Sequence, residues 1–402
     1  MPIPNDRPSR RAFLGGTAAA ASFFAAASLL PSCKKSGGAA KIKLGLLLPY
    51  SGTYAALGHN ITDGIKLAID EASGKLGGRE VEFTKVDDES DPAKAPANTN
   101  KLVVGEKVDF LIGTVHSGVA TGMVKIAREE GLITLIPNAG VDAATRELCA
   151  PNIFRTSFSN WQSAFAMGDV VQQDGHKKAL LFTWKYSAGL ESTAAFKESF
   201  LAGGGAIDKE LTLDFPNVEF QAHLTEIAAS RADALFVFFA GSGAAKFVKD
   251  FAAAGLKDKI PLYSTGFLTE GVLDAEGPAA EGIKTTLHYA NALDLPQNQR
   301  FREAFKRASG READVYAVQG YDTGKLLIHA LDKVRGDTGA KKEIIAAMEA
   351  AEIDSPRGRW TMSKAHNPIQ DIYLRQVVGG KEVVLKVARK ALADPATGCK
   401  TA

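Results

Sequence analysis

The sequence predicts an α/β protein in which two doubly wound parallel-sheet lobes are joined by a multi-strand hinge. Short apolar strands alternate with helical segments from residue 41, which is the pattern of βαβ units and a parallel sheet. The alternation begins a second time after residue 156, as expected for a second lobe of similar size. Long helical segments then follow one another without a strand, so they have to pack on a lobe that is already formed.

The elements follow in order along the chain. In the first series the predicted strands are 41–48, 81–86, 110–113 and 132–136, and the helices are 63–73, 100–105 and 119–130. In the second series the strands are 179–183, 210–213, 234–239 and 261–264, and the helices are 161–173, 193–202, 220–230 and 244–254. The last part contains helices 299–309, 315–334 and 340–351, and then a β-hairpin, 372–378 and 383–387, around a Gly-Gly turn.

Helices that return after the second lobe imply that the chain crosses between the lobes more than once. We expect crossings near 156–157, 286–287 and 360–361. The first lobe would then hold 41–157 plus 287–361, and the second 158–286 plus 362–402. Hinged lobes close on ligands, and open α/β sheets place their sites at the C-terminal ends of the strands, so we expect the site in the cleft.

The N-terminal segment predicts export. The run SRRAFL at 9–14 precedes an Ala-rich apolar stretch at 15–30, which is typical of a twin-arginine signal peptide covering 1–32. Such a signal carries folded cargo out of the cytoplasm, to the periplasm or cell envelope. The stretch is too short and too Ala-rich for a membrane span, which needs about 20 strongly apolar residues.

The segment LPSC at 30–33 resembles a lipobox, in which Cys33 would be lipidated and tether the protein to a membrane. The proline in this segment is atypical, so plain cleavage after the alanines at 25–27 stays open. Residues 33–40 form a polar, flexible spacer, as a tethered domain would need.

Composition excludes several classes of protein. A net charge of +2, with 23% charged residues, gives no argument for nucleic-acid binding. In an oxidising compartment Cys149 and Cys399 remain as a pair, and we expect a disulfide that fastens the tail, with two unrelated thiols as the alternative. There is no Cys-x-x-Cys, and seven scattered histidines predict neither a metal site nor a cofactor.

Four short segments then point to a family. They are PYSGTYAALG at 49–58, DDESDP at 87–92, the turn at 113–117, and YSAG at 186–189. In this order, behind an export signal, the chain resembles the type I periplasmic solute-binding proteins of ABC importers, in the group around the leucine/isoleucine/valine-binding proteins. The resemblance runs from residue 41 to about 387 and implies capture of a small carboxylate-bearing solute for permease and ATPase subunits, without catalysis. We expect the protein to be a monomer.

The loops after two strands carry the polar candidates. Ser117 follows a buried strand and opens a helix, where a hydroxyl and backbone N–H groups bind anions. Read without the family, Ser117 is an ordinary N-cap. The resemblance places the ligand carboxylate at Ser117, with His116 beside it. It also brings in Asn138, Ala139 and Gly140 after the next strand, where the family offers the ligand carboxylate backbone groups and a hydroxyl; this chain has Gly140 at the hydroxyl position, and the backbone groups would be those near Ala139.

Aromatic and apolar residues complete the candidate pocket. They are Tyr54, Leu57, Tyr186, Phe239, Phe267 and Tyr316. For each of the aromatic side chains, core packing is the alternative role. Tyr186 is the exception, because its motif places it on a loop that faces the cleft.

Two features of the sequence bear on the class of ligand, the residue at position 266 and the segment at 158–162. Amino-acid-binding members of the family neutralise the ligand ammonium with an acidic side chain, which aligns here with Gly266. Glu270 would substitute only if the loop ran differently. A buried ammonium without a partner is costly, and 158–162 resembles members that bind aromatic acids, so we predict an aromatic or other apolar carboxylate rather than a branched-chain amino acid.

Two other functions compete with an import receptor. The same fold serves ligand-sensing subunits that report to a membrane kinase or a regulator, and the sequence leaves that choice open. An enzyme is disfavoured because the sequence has no Gly-x-Ser-x-Gly elbow, P-loop or dinucleotide fingerprint.

Overall fold

A computed structural model describes residues 40–401. The predicted signal peptide, Cys33 and nearly all of the spacer lie outside the described residues. Within 40–401, no helix is long and apolar enough to cross a membrane. The same residues hold no cluster of three or more histidine, cysteine or acidic side chains placed to bind a metal ion.

The first sheet has six strands in the order β2-β3-β1-β4-β5-β6, parallel except where β2 meets β3. The strands are β1 (Ile42–Leu48), β2 (Lys75–Leu76), β3 (Arg79–Asp87), β4 (Phe110–Gly113), β5 (Thr134–Ile136) and β6 (Ile153–Arg155). The central strands β1 and β4 are buried almost throughout, which is why they consist of nearly continuous apolar residues.

The second sheet has nine strands in the order β12-β13-β14-β11-β10-β9-β7-β8, and β15 pairs with β14. The strands are β7 (Lys178–Trp184), β8 (Ala206–Leu213), β9 (Ala234–Phe238), β10 (Leu262–Thr265), β11 (Lys284–Leu287), β12 (Glu352–Ile353), β13 (Trp360–Met362), β14 (Pro368–Val378) and β15 (Lys381–Leu392). The strands from β7 to β11 run parallel, whereas the hairpin β14–β15 adds antiparallel pairing next to β11. Parallel sheets in two lobes confirm the predicted fold class.

Helices connect these strands and follow the second sheet. They are α1 (Ala55–Glu71), α2 (Ala95–Asn100), α3 (Ser117–Glu129), α4 (Asn160–Gln173), α5 (Ser187–Ala202), α6 (Gln221–Ala228), α7 (Gly241–Ala253), α8 (Leu273–Glu276), α9 (Pro296–Ser309), α10 (Val315–Lys333) and α11 (Lys341–Glu349). Helix α2 continues into a π-helical turn at Lys101–Gly105.

Helix α10 comes after the second sheet in the chain, yet it packs on α1 of the first lobe. Glycines allow this close approach. A Cβ on Gly64 would lie 2.1 Å from the carbonyl oxygen of Ala317, and one on Gly320 would lie 2.0 Å from that of Ile61. Any other residue at either position would therefore push the two helices apart.

Arg357 braces the segments that pass between the lobes. Its guanidinium donates to the main-chain oxygens of Thr156 (2.6 Å) and Ser157 (2.9 Å) and lies 2.7 Å from Asp322 of α10. The hydroxyl of Tyr373 on β14 donates to the carbonyl oxygen of Arg357. One buried side chain thus ties two connecting segments to both lobes.

Some elements differ from the expectation. Helix α1 begins at Ala55 rather than residue 63, and α5 begins at Ser187 rather than residue 193. Short strands were not predicted, namely β2, β6, β11, β12 and β13. Each has two to four residues, too few to show a periodic pattern, and none is a wholly apolar run like FLIG of β4. The lobe boundaries at 157, 286 and 361 stay a prediction.

Candidate ligand-binding site

A pocket lies between the two lobes, where the parallel strands end and helices begin. Its lining residues are Tyr54, Leu57, Val115, Ser117, Asn138, Gly140, Phe158, Asn160, Tyr186, Ala188, Phe238, Ala240, Phe267 and Tyr316. The free space among these residues amounts to about 310 Å³, including the part that opens to solvent. The lining includes eight residues proposed from the sequence: Tyr54, Leu57, Ser117, Asn138, Gly140, Tyr186, Phe267 and Tyr316.

The walls of this pocket are aromatic. Phe158 lies 4.7 Å from Phe267 between ring centroids, and Phe267 lies 6.2 Å from Tyr316. Phe158 also stacks on the buried ring of His288. Such flat, rigid side chains favour a planar apolar ligand over a branched aliphatic one.

Two amide side chains of the lining are held by hydrogen bonds. Asn138 donates from Nδ2 to Gln319 Oε1 (2.7 Å), and Asn160 Nδ2 lies 3.4 Å from Ser117 Oγ. No aspartate, glutamate, lysine or arginine occurs among the lining residues of the described chain. Neutral donors and acceptors, rather than ion pairs, are therefore available to a ligand.

Helix N-termini surround the pocket. Helices α1, α3, α4, α5, α7 and α10 each place a lining residue at their N-cap or within their first three residues. The positive ends of their dipoles and their backbone N–H groups favour an anion. At the N-terminus of α10 two acidic side chains already accept hydrogen bonds from the backbone. Asp314 accepts from the N–H of Ala317 (2.9 Å), and Glu270 accepts from the N–H of Val315 (3.2 Å).

Tyr316 presents a buried phenol to the pocket. Its hydroxyl has no hydrogen-bond partner within residues 40–401. Burial raises the pKa of Tyr316 above its ordinary value, so the group stays a neutral donor. A buried donor without a partner is costly, and a ligand oxygen would satisfy it.

His116 lies beside the pocket rather than in its lining. Its ring stacks on Tyr186 at 4.6 Å, and its Nδ1 accepts from the main-chain N–H of Gly118. His116 is thus the N-cap of α3, which leaves the hydroxyl of Ser117 free of the capping role. Burial lowers the pKa of His116 to about 4, so the ring is neutral at pH 7 and supplies no cation to a ligand.

Phe239 does not line the pocket, which is a correction to the proposed set. It packs in the core of the second lobe against Phe182, Phe220 and Phe247. Its neighbour Phe238 lines the pocket instead. Successive side chains of an extended chain point to opposite sides, so an error of one position replaces a residue of the pocket wall by a residue of the core.

Ala139 has its backbone occupied by protein partners. Its N–H donates to the carbonyl oxygen of Thr114 (2.9 Å), and its own carbonyl oxygen accepts from Arg155 (2.5 Å). The proposed contribution of this backbone to a ligand carboxylate is therefore replaced by internal hydrogen bonds.

Gly266 lies behind the lining, against the guanidinium of Arg375. A Cβ at Gly266 would lie 2.5 Å from Arg375 Nη2 and 2.7 Å from Leu287, so no acidic side chain fits there. Arg375 is fully buried and pairs with Glu270 and with Glu382. Glu270 is thus engaged by Arg375 and by the N-terminus of α10, and does not replace the missing acid.

Six lining residues were absent from the proposed set: Val115, Phe158, Asn160, Ala188, Phe238 and Ala240. Gly140 explains two of them. A Cβ at Gly140 would lie 2.2 Å from Asn160 Oδ1 and 2.6 Å from Phe158 Cε2. The space that a hydroxyl-bearing side chain would need is filled by Asn160 and Phe158. In the sequence, the segment at 158–162 resembled that of aromatic-acid-binding members, but the resemblance did not show which of its residues line the pocket.

The C-terminal tail returns to the first lobe. Cys149 and Cys399 form a disulfide, with their Cα atoms 5.5 Å apart. Nearby, Asp394 accepts from Arg146 at two positions (3.1 and 3.0 Å) and from the hydroxyl of Ser159 (2.6 Å). The tail is therefore fastened next to the segment that leads to Asn160.

Comparisons with known proteins agree with this architecture. Residues 41–381 match the family described as periplasmic binding protein. The Leu/Ile/Val-binding protein homolog 6 of Brucella melitensis is 32% identical over 346 residues, covering 84% of this chain and 87% of that protein.

Two solved structures are also similar. A solute-binding protein of an R. palustris ABC transporter, in complex with benzoate, is 55% identical with a TM-score of 0.88, covering 90% of this chain and 100% of that one. Another, from Rhodopseudomonas palustris BisB5 in complex with 3,4-dihydroxybenzoic acid, is 31% identical with a TM-score of 0.83, covering 88% and 99%. With the family match, the relative above 30% identity and the two-lobed fold in agreement, the chain belongs to the periplasmic binding protein family.

Proposed function

We propose that this protein is the extracytoplasmic receptor of an ABC importer and captures an aromatic carboxylate of the benzoate class. The observation that carries the ligand class is an aromatic pocket without a charged lining side chain, at which helix N-termini converge. The rings would hold the apolar body of the ligand, and the helix ends would hold its negative charge.

The carboxylate has several neutral donors within the lining. Ser117 opens α3, and its hydroxyl and the first N–H groups of the helix would bind one carboxylate oxygen. Tyr316 would donate to the ligand from its unpartnered phenol. Such donors stabilise an anion without a counter-ion, as charge-assisted hydrogen bonds are about twice as strong as neutral ones.

A zwitterion fits this pocket less well. An ammonium group would need a carboxylate partner, and the position for one at Gly266 is closed by Arg375 and Leu287. Removing an ammonium from water without a partner costs several kcal/mol, which outweighs the burial of a small side chain. We therefore expect benzoate to bind more tightly than leucine.

The importer role follows the family and the structural relatives, which are solute-binding proteins of ABC transporters. In this proposal the closed, loaded protein delivers its ligand to permease and ATPase subunits and performs no catalysis itself. Export by the twin-arginine route to the periplasm, and a lipid tether through Cys33, complete the proposal.

Titration calorimetry with four probes tests the ligand class. Benzoate is an aromatic anion, benzamide its neutral analogue, phenylalanine an aromatic zwitterion, and leucine an aliphatic zwitterion. We expect micromolar or tighter binding of benzoate and much weaker binding of the other three. Micromolar leucine binding without a response to any aromatic acid would overturn the proposal.

A further inference from the structure

Glu191 on α5 lies outside the pocket lining, but it contacts the polar end of the pocket and the other lobe at the same time. Its Oε2 accepts from Asn160 Nδ2 (2.7 Å) and from the main-chain N–H of Asp142 (3.0 Å). Asn160 in turn lies 3.4 Å from Ser117 Oγ. One carboxylate oxygen therefore sets the orientation of the amide that faces the proposed ligand serine.

The charged groups around Glu191 come from three segments. Asp142 and Arg146 follow β5, Arg155 lies on β6, and Asp394 lies on the C-terminal tail. Arg146 pairs with Asp142 (3.2 Å) and with Asp394 (3.0 Å). The guanidinium of Arg155 donates to main-chain carbonyls and one threonine hydroxyl. The cluster thus contains three carboxyl groups (Glu191, Asp142 and Asp394) and two guanidinium groups (Arg146 and Arg155). When all five are ionised, it carries one excess negative charge before any ligand binds.

We propose that Glu191 is a positioning residue that takes up a proton when the lobes close on the ligand. It would then hold Asn160 in place without setting a second negative charge near the ligand carboxylate. The inference rests on the proposed function, because it assumes an anionic ligand next to Ser117 and Asn160. In an open form Glu191 would leave Asp142 and face water, where it would be an ordinary carboxylate.

Electrostatics supports this assignment. Burial raises the pKa of Glu191 above its ordinary value, and burial together with Glu191 raises the pKa of Asp142 to about 7. Both shifts belong to the form in which the lobes touch. Protonation of either carboxyl therefore favours that form. The advantage is full below the ordinary carboxyl pKa of about 4 and disappears as the pH rises through the raised pKa of each group, which for Asp142 is about 7. A ligand anion would shift the proton affinity further in the same direction.

The test measures benzoate affinity of the full chain at about pH 5.5 and about pH 8, in buffers of different ionisation enthalpy. The wild-type dissociation constant should rise with pH, by up to about tenfold per pH unit, with proton uptake on binding at the lower pH. Glu191→Gln keeps an oxygen acceptor that does not titrate. It should bind within a few-fold of wild type at the lower pH and show a smaller slope and less proton uptake than wild type, with Asp142 as the remaining titrating carboxyl.

Two further variants separate positioning from general structure. Glu191→Ala removes the acceptor and should weaken binding at both pH values. Glu198→Gln is the matched control, because Glu198 lies on the same helix and accepts only from Trp161 Nε1 (2.8 Å) among the described hydrogen bonds. It should keep the wild-type slope, and thermal unfolding of each variant checks its fold.

A wild-type dissociation constant that does not change with pH, or a Glu191→Gln variant that keeps the slope, would overturn the inference alone. Absence of benzoate binding to the wild type at both pH values would instead overturn the proposed function, and the inference with it.

Discussion

The phenol oxygens of Tyr54 and Tyr186 lie 2.9 Å apart and join the two lobes at the wall of the pocket. Tyr54 is the N-cap of α1 in the first lobe, and Tyr186 is the N-cap of α5 in the second. His116 adds a second contact by stacking on Tyr186. Separation of the lobes would break these contacts and widen the entrance to the pocket, so we expect an open form in equilibrium with this one.

Small-angle scattering tests the closure. We expect the radius of gyration to fall when saturating benzoate is added, because the ligand stabilises the form in which Tyr54 and Tyr186 touch. The reference is the same sample without ligand in the same buffer. A radius of gyration that stays constant under saturating ligand would argue against a hinge.

Ser117→Ala should weaken benzoate binding by about 1–3 kcal/mol, since it removes a hydroxyl from a charged hydrogen-bonded group. Calorimetry measures the loss. Ser242→Ala is the control, because Ser242 is also a serine at the start of a helix but is exposed and absent from the lining. Equal affinity of the Ser117→Ala variant and the wild type would remove this hydroxyl from the site.

Tyr316→Phe should change stability and affinity in opposite directions. The ligand-free protein should unfold at the same or a slightly higher temperature, because the variant no longer buries an unsatisfied hydroxyl. Benzoate affinity should fall by about tenfold or more, since a donor to a charged group is lost. Thermal unfolding with and without benzoate records both effects, and loss of stability without loss of affinity would contradict the assigned role.

Much of this architecture was accessible from the sequence, because period and spacing report backbone structure directly. The switch from period two to period 3.6 located most strands and helices, and the long helices after residue 296 were expected to return to a lobe already formed. Strands such as β6 and β11 were missed because three or four residues show no period and, unlike FLIG of β4, both segments contain charged or polar residues.

The lining of the pocket was harder to predict, because it depends on which of two adjacent side chains points into the pocket. Phe238 rather than Phe239 faces the pocket, and only the position where β9 ends decides between them. Asn160 became a lining residue because Gly140 leaves room for it, a relation between residues twenty apart that no local pattern records. The role of Glu191 required contacts from the opposite lobe.

Gly140→Ala should weaken benzoate binding, because the added Cβ collides with Asn160 and Phe158 and displaces both from the pocket. Gly105→Ala is the matched control in the same lobe, since a Cβ there meets nothing within 4 Å. The affinities of the two variants are compared by calorimetry. A Gly140→Ala variant that binds as tightly as the Gly105→Ala control would show that Asn160 and Phe158 do not shape the site.

Replacing Cys149 and Cys399 together by serine should lower the free energy of unfolding by about 2–4 kcal/mol, because the disulfide restricts a long loop in the unfolded chain. Denaturant unfolding measures the difference. Wild-type protein treated with a reductant should approach the double variant, whereas the variant itself should not respond. Mass spectrometry of the exported protein that finds both thiols free would remove the basis of this prediction.

The fastening of the tail limits the directions in which the lobes can move. Strand β15 belongs to the second sheet, but the residues after it are tied to the first lobe through Asp394 and Cys399. Sliding or twisting of one lobe against the other would pull on this covalent tie, whereas rotation about an axis along that edge would not. We therefore expect the lobes to open by rotation about essentially one axis, and the solute to enter and leave on the side of the cleft away from the tail.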